Sequence, residues 1–316
     1  MIIQVALILV GFVLLIKGAD ILVDGSSAIA KKLRISEIVI GLTIVSIGTS
    51  MPEMFVSTSS ALQGSSDISI GNVIGSNICN LLLILGLSSI IHPVKFQKQT
   101  KIIENPMMIL LSIIFLTMCN MDQDISRIEG IILLIIFIAF LIYTVIMGKR
   151  SQSEEIVKTS LEEAKKVSVV KNVIFIILGI IGLKIGGDLV VDNAKLIATA
   201  LKVSEKIIGL TIVAIGTSLP ELVTSVTAAI KGDSDIAIGN IIGSNIFNML
   251  FIIGVSATIT PITYNVSYNF DMIILFIGMI LMCIFPFIKP KDTFSRGNGI
   301  IFTILYAIYM AILFVS

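Results

Sequence analysis

Two glutamates sit inside long apolar stretches, each one residue after a proline. Glu53 closes Gly48-Thr49-Ser50-Met51-Pro52-Glu53, and Glu221 closes a near-copy, Gly216-Thr217-Ser218-Leu219-Pro220-Glu221, 168 residues later. A carboxylate at membrane depth is costly and by default marks an ion or substrate path. Before and after Glu53, the residues Thr43, Ser46, Ser50, Glu53, Ser57 and Ser60 follow one another at alternating steps of three and four. That spacing lays one polar stripe along an apolar helix. Asn72, Ser76 and Asn80 recur every four residues on the next stretch, and the second copy carries Thr211, Ser218, Glu221 and Ser225, then Asn240, Ser244 and Asn248. Carboxylate, hydroxyl and amide oxygens are the ligands of hard cations such as calcium. The single histidine and the three scattered cysteines, Cys79, Cys119 and Cys283, argue against a transition-metal centre or a disulfide set. Two carboxylates match one Ca²⁺ or two Na⁺, so the charge balance favours mutually exclusive occupancy. Pro52 and Pro220 lack an N–H, which frees the carbonyls of Gly48 and Gly216 and predicts a kink at each glutamate.

The elements that must position these groups are membrane spans. The chain has 316 residues, 56% hydrophobic and 14% charged, with a mean hydropathy of +1.05. Apolar runs of spanning length recur from end to end. Ten helices are expected, at 2–22, 37–62, 68–92, 104–120, 127–148, 171–191, 205–230, 236–260, 269–288 and 299–315. The N-terminal run lacks a basic leader and a small-residue cleavage pattern, so it reads as a retained first span. Sixteen Lys and Arg fall in the alternate loops that include Lys31, Lys95 and Lys291, against four in the others. The positive-inside rule then puts the N-terminus outside the plasma (inner) membrane. Residues 149–170 form a charged cytoplasmic linker too short for a regulatory domain. A net charge of +1 without a basic patch gives no reason to expect nucleic acid, and no protein partner is evident beyond the lipid bilayer.

Residues 36–86 align without gaps to 204–254, with 32 identities in 51 positions. Further upstream, Asp20 and Asp24 match Asp188 and Asp192, where capping or interfacial roles are expected. The 168-residue offset contains five spans, an odd number, so the second copy must cross in the opposite sense. The expected fold is an all-α membrane protein of ten transmembrane helices in two inverted five-helix repeats, 1–148 and 171–316. Inverted repeats are an architecture of secondary transporters, with the ion site near the midplane at the repeat interface.

At Gly48–Glu53 with Gly75-Ser76-Asn77-Ile78-Cys79-Asn80, and Gly216–Glu221 with Gly243-Ser244-Asn245-Ile246-Phe247-Asn248, the chain resembles the calcium/cation antiporter superfamily. The prokaryotic sodium/calcium exchanger branch is the most similar. The resemblance implies that Glu53 and Glu221 are central calcium ligands shared with sodium sites. It implies contributions from Thr49, Thr217, Ser76 and Ser244, from Ser46 and Ala214 through backbone carbonyls, and from Asn80 and Asn248 at the remaining corners. Relatives that use potassium often carry aspartate where this chain has Asn248, so potassium co-transport is not expected. The large calcium-sensing domains of the animal exchangers are absent.

The function expected is antiport of Ca²⁺ for Na⁺ by alternating access, with the first and sixth spans sliding and no cofactor beyond the transported ions. Proton/calcium exchange by the same glutamate pair is the alternative, since a carboxylate pair can also carry protons. A channel suits a tight twin-carboxylate site poorly. An intramembrane hydrolase lacks a zinc motif and a nucleophile elbow, so an enzyme is not expected. The Asp122-x-Asp124 pair is no EF-hand, because position six, which requires glycine, is Arg127.

Overall fold

The computed structural model describes residues 2–33, 35–150, 168–201, 214–288 and 290–315. The body of the linker, Thr211, and the start of the seventh expected span lie outside the described residues. In chain order the helices are α1 (Ile2–Leu33), α2 (Glu37–Thr49), α3 (Met51–Leu62), α4 (Ser66–Ile91), α5 (Thr100–Met121) and α6 (Arg127–Arg150). The second half holds α7 (Val169–Ala200), α8 (Ala214–Thr217), α9 (Leu219–Lys231), α10 (Ser234–Ile259), α11 (Tyr268–Phe287) and α12 (Arg296–Val315). Among the described residues eight helices are long and apolar enough to cross a membrane, and α2 with α3, bent by 51° at their junction, would make a ninth.

Burial sorts these helices into a centre and a shell. In α10 and α4, 94% and 72% of the apolar window is buried, against 22% in both α1 and α12. The outer helices instead expose large apolar side chains such as Ile3, Leu9, Ile16, Ile135 and Ile304. A surface of this kind is stable only against lipid. Helices lacking a hydrophobic drive toward one another associate by close packing of small residues. The α1–α7 pair is such a case: a Cβ on Gly18 would lie 2.9 Å from the Gly179 carbonyl oxygen, and one on Gly179 would lie 2.8 Å from that of Gly18. Two backbones therefore meet with no side chain between them.

α1 runs to Leu33, eleven residues beyond the expected end. Asp20 and Asp24 lie around that expected end, and both are paired within the helix by Lys231 of α9, at 2.5 and 2.7 Å. In place of the capping or interfacial role expected, these two aspartates make an interhelical ion pair. Two short antiparallel ribbons tie the halves together. Val94–Lys95 (β1) pairs with Thr293–Phe294 (β4), and Asp124–Ile125 (β2) pairs with Ile262–Thr263 (β3).

Candidate ion-binding site

The two prolines end one helix and begin another. Pro52 and Pro220 lie at the second residue of α3 and α9, where a missing N–H costs nothing because first-turn donors have no helical partner. The break falls on the serine two residues earlier: Ser50 has φ −85°, ψ 11° and Ser218 has φ −88°, ψ 8°. Each glutamate thus sits in the first turn of its helix, beside the C-terminal end of the helix before it. Carbonyls at a helix C-terminus carry partial negative charge and favour a cation.

The site is built by exchange between the two halves. Ser50 Oγ donates to Glu221 Oε1 at 2.8 Å, and Ser218 Oγ donates to Glu53 Oε1 at 3.3 Å. Ser218 and Ser76 hydroxyls are 3.4 Å apart, and Thr217 is within hydrogen-bonding reach of the Glu53 carboxylate. The Thr49 hydroxyl donates to Asn240 Oδ1 at 3.0 Å. Asn240 Nδ2 in turn donates to the Glu221 carbonyl at 3.4 Å and to Ser225 Oγ at 2.9 Å. Asn72 repeats the pattern, donating to the Glu53 carbonyl at 3.3 Å and to Ser57 Oγ at 2.9 Å. The two asparagines brace the kinked turns from behind.

Asn80 and Asn248 each occupy the second position of a π-helical turn, Cys79–Ile84 and Phe247–Ile252. Such turns inside α-helices recur at functional sites because they rotate side chains out of the regular register. Asn248 Nδ2 donates to Asn77 Oδ1 at 3.0 Å, and Asn77 Nδ2 donates to the Asn245 carbonyl at 3.2 Å. The Ser46 carbonyl already accepts the Ser50 N–H at 3.0 Å. Ala214 opens α8.

After these bonds are made, a particular set of oxygens has no partner: Glu53 Oε2, Glu221 Oε2, Asn80 Oδ1, Asn248 Oδ1 and Ser244 Oγ. All five residues are at most 1% exposed, and the two carboxylates are close enough to repel each other. An unmade hydrogen bond at a buried oxygen costs about 1–3 kcal/mol, more for a charged one. Two carboxylates, two amide oxygens and a hydroxyl left bare together suit a desolvated hard cation. The ten ligands expected, Ser46, Thr49, Glu53, Ser76, Asn80, Ala214, Thr217, Glu221, Ser244 and Asn248, all lie on described elements. The serine exchange and the bracing roles of Asn72, Asn240 and Asn77 were not expected. In the sequence Ser50, Ser218, Asn72 and Asn240 stand on the polar stripes, whereas Asn77 is marked only by its match to Asn245 in the other repeat.

Comparison with known proteins agrees with this geometry. The model of the sodium/calcium exchanger protein family matches residues 3–146 and 171–315. The chain is 36% identical to the inner membrane protein YrbG of Escherichia coli over 320 residues, covering 99% of this chain and 98% of that one. It is 30% identical to the sodium/calcium exchanger MaX1 of Methanosarcina acetivorans over 344 residues, covering 98% and 97%. The solved structure of the sodium-calcium exchanger NCX_Mj, soaked with Na⁺ and Ca²⁺, superimposes with a TM-score of 0.85 at 37% identity, covering 98% of each chain. The two exchangers among these relatives are transporters and not enzymes. The chain is an integral multi-pass membrane protein of the sodium/calcium exchanger family, a cation/Ca²⁺ antiporter.

Proposed function

We propose that the protein exchanges Ca²⁺ for Na⁺ at one central site, held by Glu53 and Glu221. The observation that carries this reading is the set of bare oxygens on Glu53, Glu221, Asn80, Asn248 and Ser244. Two carboxylates neutralise one Ca²⁺ or two Na⁺, so sodium entry displaces calcium without leaving a net buried charge. Ser76, Thr49 and Thr217 complete the hydroxyl complement, and the Ser46 and Ala214 carbonyls supply main-chain oxygens at the kinks. With neutral Asn80 and Asn248 at the other corners, potassium is not a substrate.

Alternating access follows from the packing contrast. The break at Ser50 and Ser218 belongs to the buried centre, whereas α1 and α7 meet each other through bare backbone and face lipid outward. Backbones packed this closely hold α1 and α7 together as one unit at the edge of the buried centre. We therefore assign the moving part to α1 and α7, and the fixed site to α3, α4, α9 and α10. The remaining organisation we propose is the ten-helix inverted repeat, with the Lys-rich loops on the cytoplasmic side and the N-terminus outside the plasma membrane.

The test is calcium uptake into proteoliposomes with imposed Na⁺, K⁺ or H⁺ gradients at clamped membrane potential. Uptake is expected to follow the sodium gradient alone. Uptake driven by a pH gradient without sodium would replace this reading with proton/calcium exchange by the same glutamates.

A further inference from the structure

Among the described residues three carboxylates carry a buried oxygen with no hydrogen-bond partner: Glu53, Glu221 and Glu104. The first two are the central site. Glu104 stands apart from it, closing a π-helical turn, Thr100–Glu104, at the start of α5, and is 2% exposed. Gln99 Nε2 donates to its Oε1 at 2.8 Å, and Oε2 is bare. The Thr100 hydroxyl, 1% exposed and within reach of the same carboxylate, has no partner either. Asn105, the next residue, is fully buried with both amide atoms unbonded. The Tyr143 hydroxyl of α6, beside Glu104, is also buried and unpartnered.

A second carboxylate faces this group. Asp235, in the first turn of α10, lies within electrostatic reach of Glu104 and accepts a hydrogen bond from Gln97. It also lines an open pocket of about 260 Å³ with Glu37, Lys95, Gln97 and Ser234. Asp235 thus touches the surface and Glu104 lies behind it. Lys101, the nearest cation in sequence to Glu104, is paired elsewhere, with Asp292. No third Asp, Glu, His or Cys joins the pair to form a cluster among the described residues, so neutral oxygens would complete a coordination shell.

The cluster leads inward. Met108, one turn beyond Glu104 on α5, accepts at its sulfur from Asn245 Nδ2 at 3.9 Å. The Asn245 carbonyl accepts from Asn77, which is bonded to Asn248 of the central site. The positions 168 residues after Glu104 and Asn105 are Met272 and Ile273; the carboxylate beside them, Asp271, already accepts a hydrogen bond from the Tyr309 hydroxyl at 2.7 Å.

We propose that Glu104 and Asp235, with Thr100, Asn105 and Tyr143, form a second Ca²⁺ site near the Lys-rich membrane face, where the ion pauses between solution and the central glutamates. Two carboxylates supply the charge, and hydroxyl, amide and phenol oxygens supply the remaining hard ligands. Only the choice of calcium rests on the exchange reading above; the site itself is argued from its own residues.

The test separates the two sites by equilibrium binding. Calcium is titrated calorimetrically into the purified full-length chain carrying both Glu53→Gln and Glu221→Gln. About one Ca²⁺ per chain is expected to bind still, and adding Glu104→Gln or Asp235→Asn is expected to weaken that binding at least tenfold. No binding to the Glu53→Gln/Glu221→Gln protein would overturn the proposal, as would residual binding that neither further substitution changes. If Glu104→Gln lowers the melting temperature, Asp235→Asn at the pocket rim decides the question alone. Because this experiment involves no transport, failure of sodium-driven flux would leave its result standing.

Discussion

The two copies of the repeat are nearly identical at their centre and differ around it. Ser50 and Ser218 adopt the same broken-helix geometry, Asn72 and Asn240 make the same pair of bonds, and Asn80 and Asn248 sit at the same place in equivalent π-helical turns. Outside that centre the copies diverge. Glu104 and Asn105 face Met272 and Ile273 in the alignment, and Lys231 faces Gln63. Duplication has kept the buried polar centre and released what surrounds it. A site that must serve both membrane faces needs equal halves, while opening one face at a time needs unequal surroundings.

The equality of the halves is the first thing to break. Glu53→Gln and Glu221→Gln each remove one of two charges from a buried site and leave a cation undercompensated. Loss of one partner in a buried ion pair costs about 3–5 kcal/mol, so calcium flux is expected to fall by roughly 100-fold or more in each variant. The two losses should match in sodium-driven proteoliposome uptake. A large loss for one and near-normal flux for the other would mean that only one carboxylate holds the ion.

The close packing beside the site predicts a smaller effect. A Cβ on Gly239 would lie 2.8 Å from Gly41 Cα, a backbone atom that cannot move aside. Overpacking of this kind costs about 1–3 kcal/mol. Gly239→Ala is expected to lower the melting temperature in detergent clearly. An unchanged melting temperature would show that α2 and α10 have room to part at this point.

The serine exchange sharpens the comparison further. Ser50 reaches Glu221 at 2.8 Å but Ser218 reaches Glu53 at 3.3 Å. A hydrogen bond to a charged group is worth about 1.5–3 kcal/mol at short range. Ser50→Ala should therefore weaken calcium binding more than Ser218→Ala, by calorimetry on the purified protein.

Much of this centre was legible because chemistry and periodicity coincided there. Glu53 and Glu221 stood out by type, the stripes by spacing, and the halves by repetition. The π-helical turns at Asn80 and Asn248 were not legible, since the backbone register changes without any glycine or proline to mark it. The exchange of Ser50 and Ser218 was hidden because each serine reads as part of its own helix's stripe until the halves interpenetrate. Glu104 stood at the very start of its expected span, where an acidic residue normally meets water, and only the fold reveals that it is buried. The end of α1 was placed too early for the converse reason: the charges of Asp20 and Asp24 are met inside the helix by Lys231, a partner more than 200 residues away.

That partner provides the smallest expected effect. Lys231 Nζ lies 2.5 Å from Asp20 and 2.7 Å from Asp24, tying α9 to α1. Its repeat counterpart, Gln63, bonds instead to Ser59 on its own helix, so α7 receives no equivalent tie from α3. Asp20 and Asp24 are 40% and 62% exposed and Lys231 is 25% exposed, so solvent screens the pair and its worth is at most about 1 kcal/mol. Lys231→Gln makes the two ends alike. It is expected to lower the melting temperature slightly in dilute buffer and not at all in molar salt, where the screening length falls to about 3 Å. A loss that persisted in molar salt would show that the lysine stem packs α9 against α1, and the difference between the copies at this end would then be one of packing.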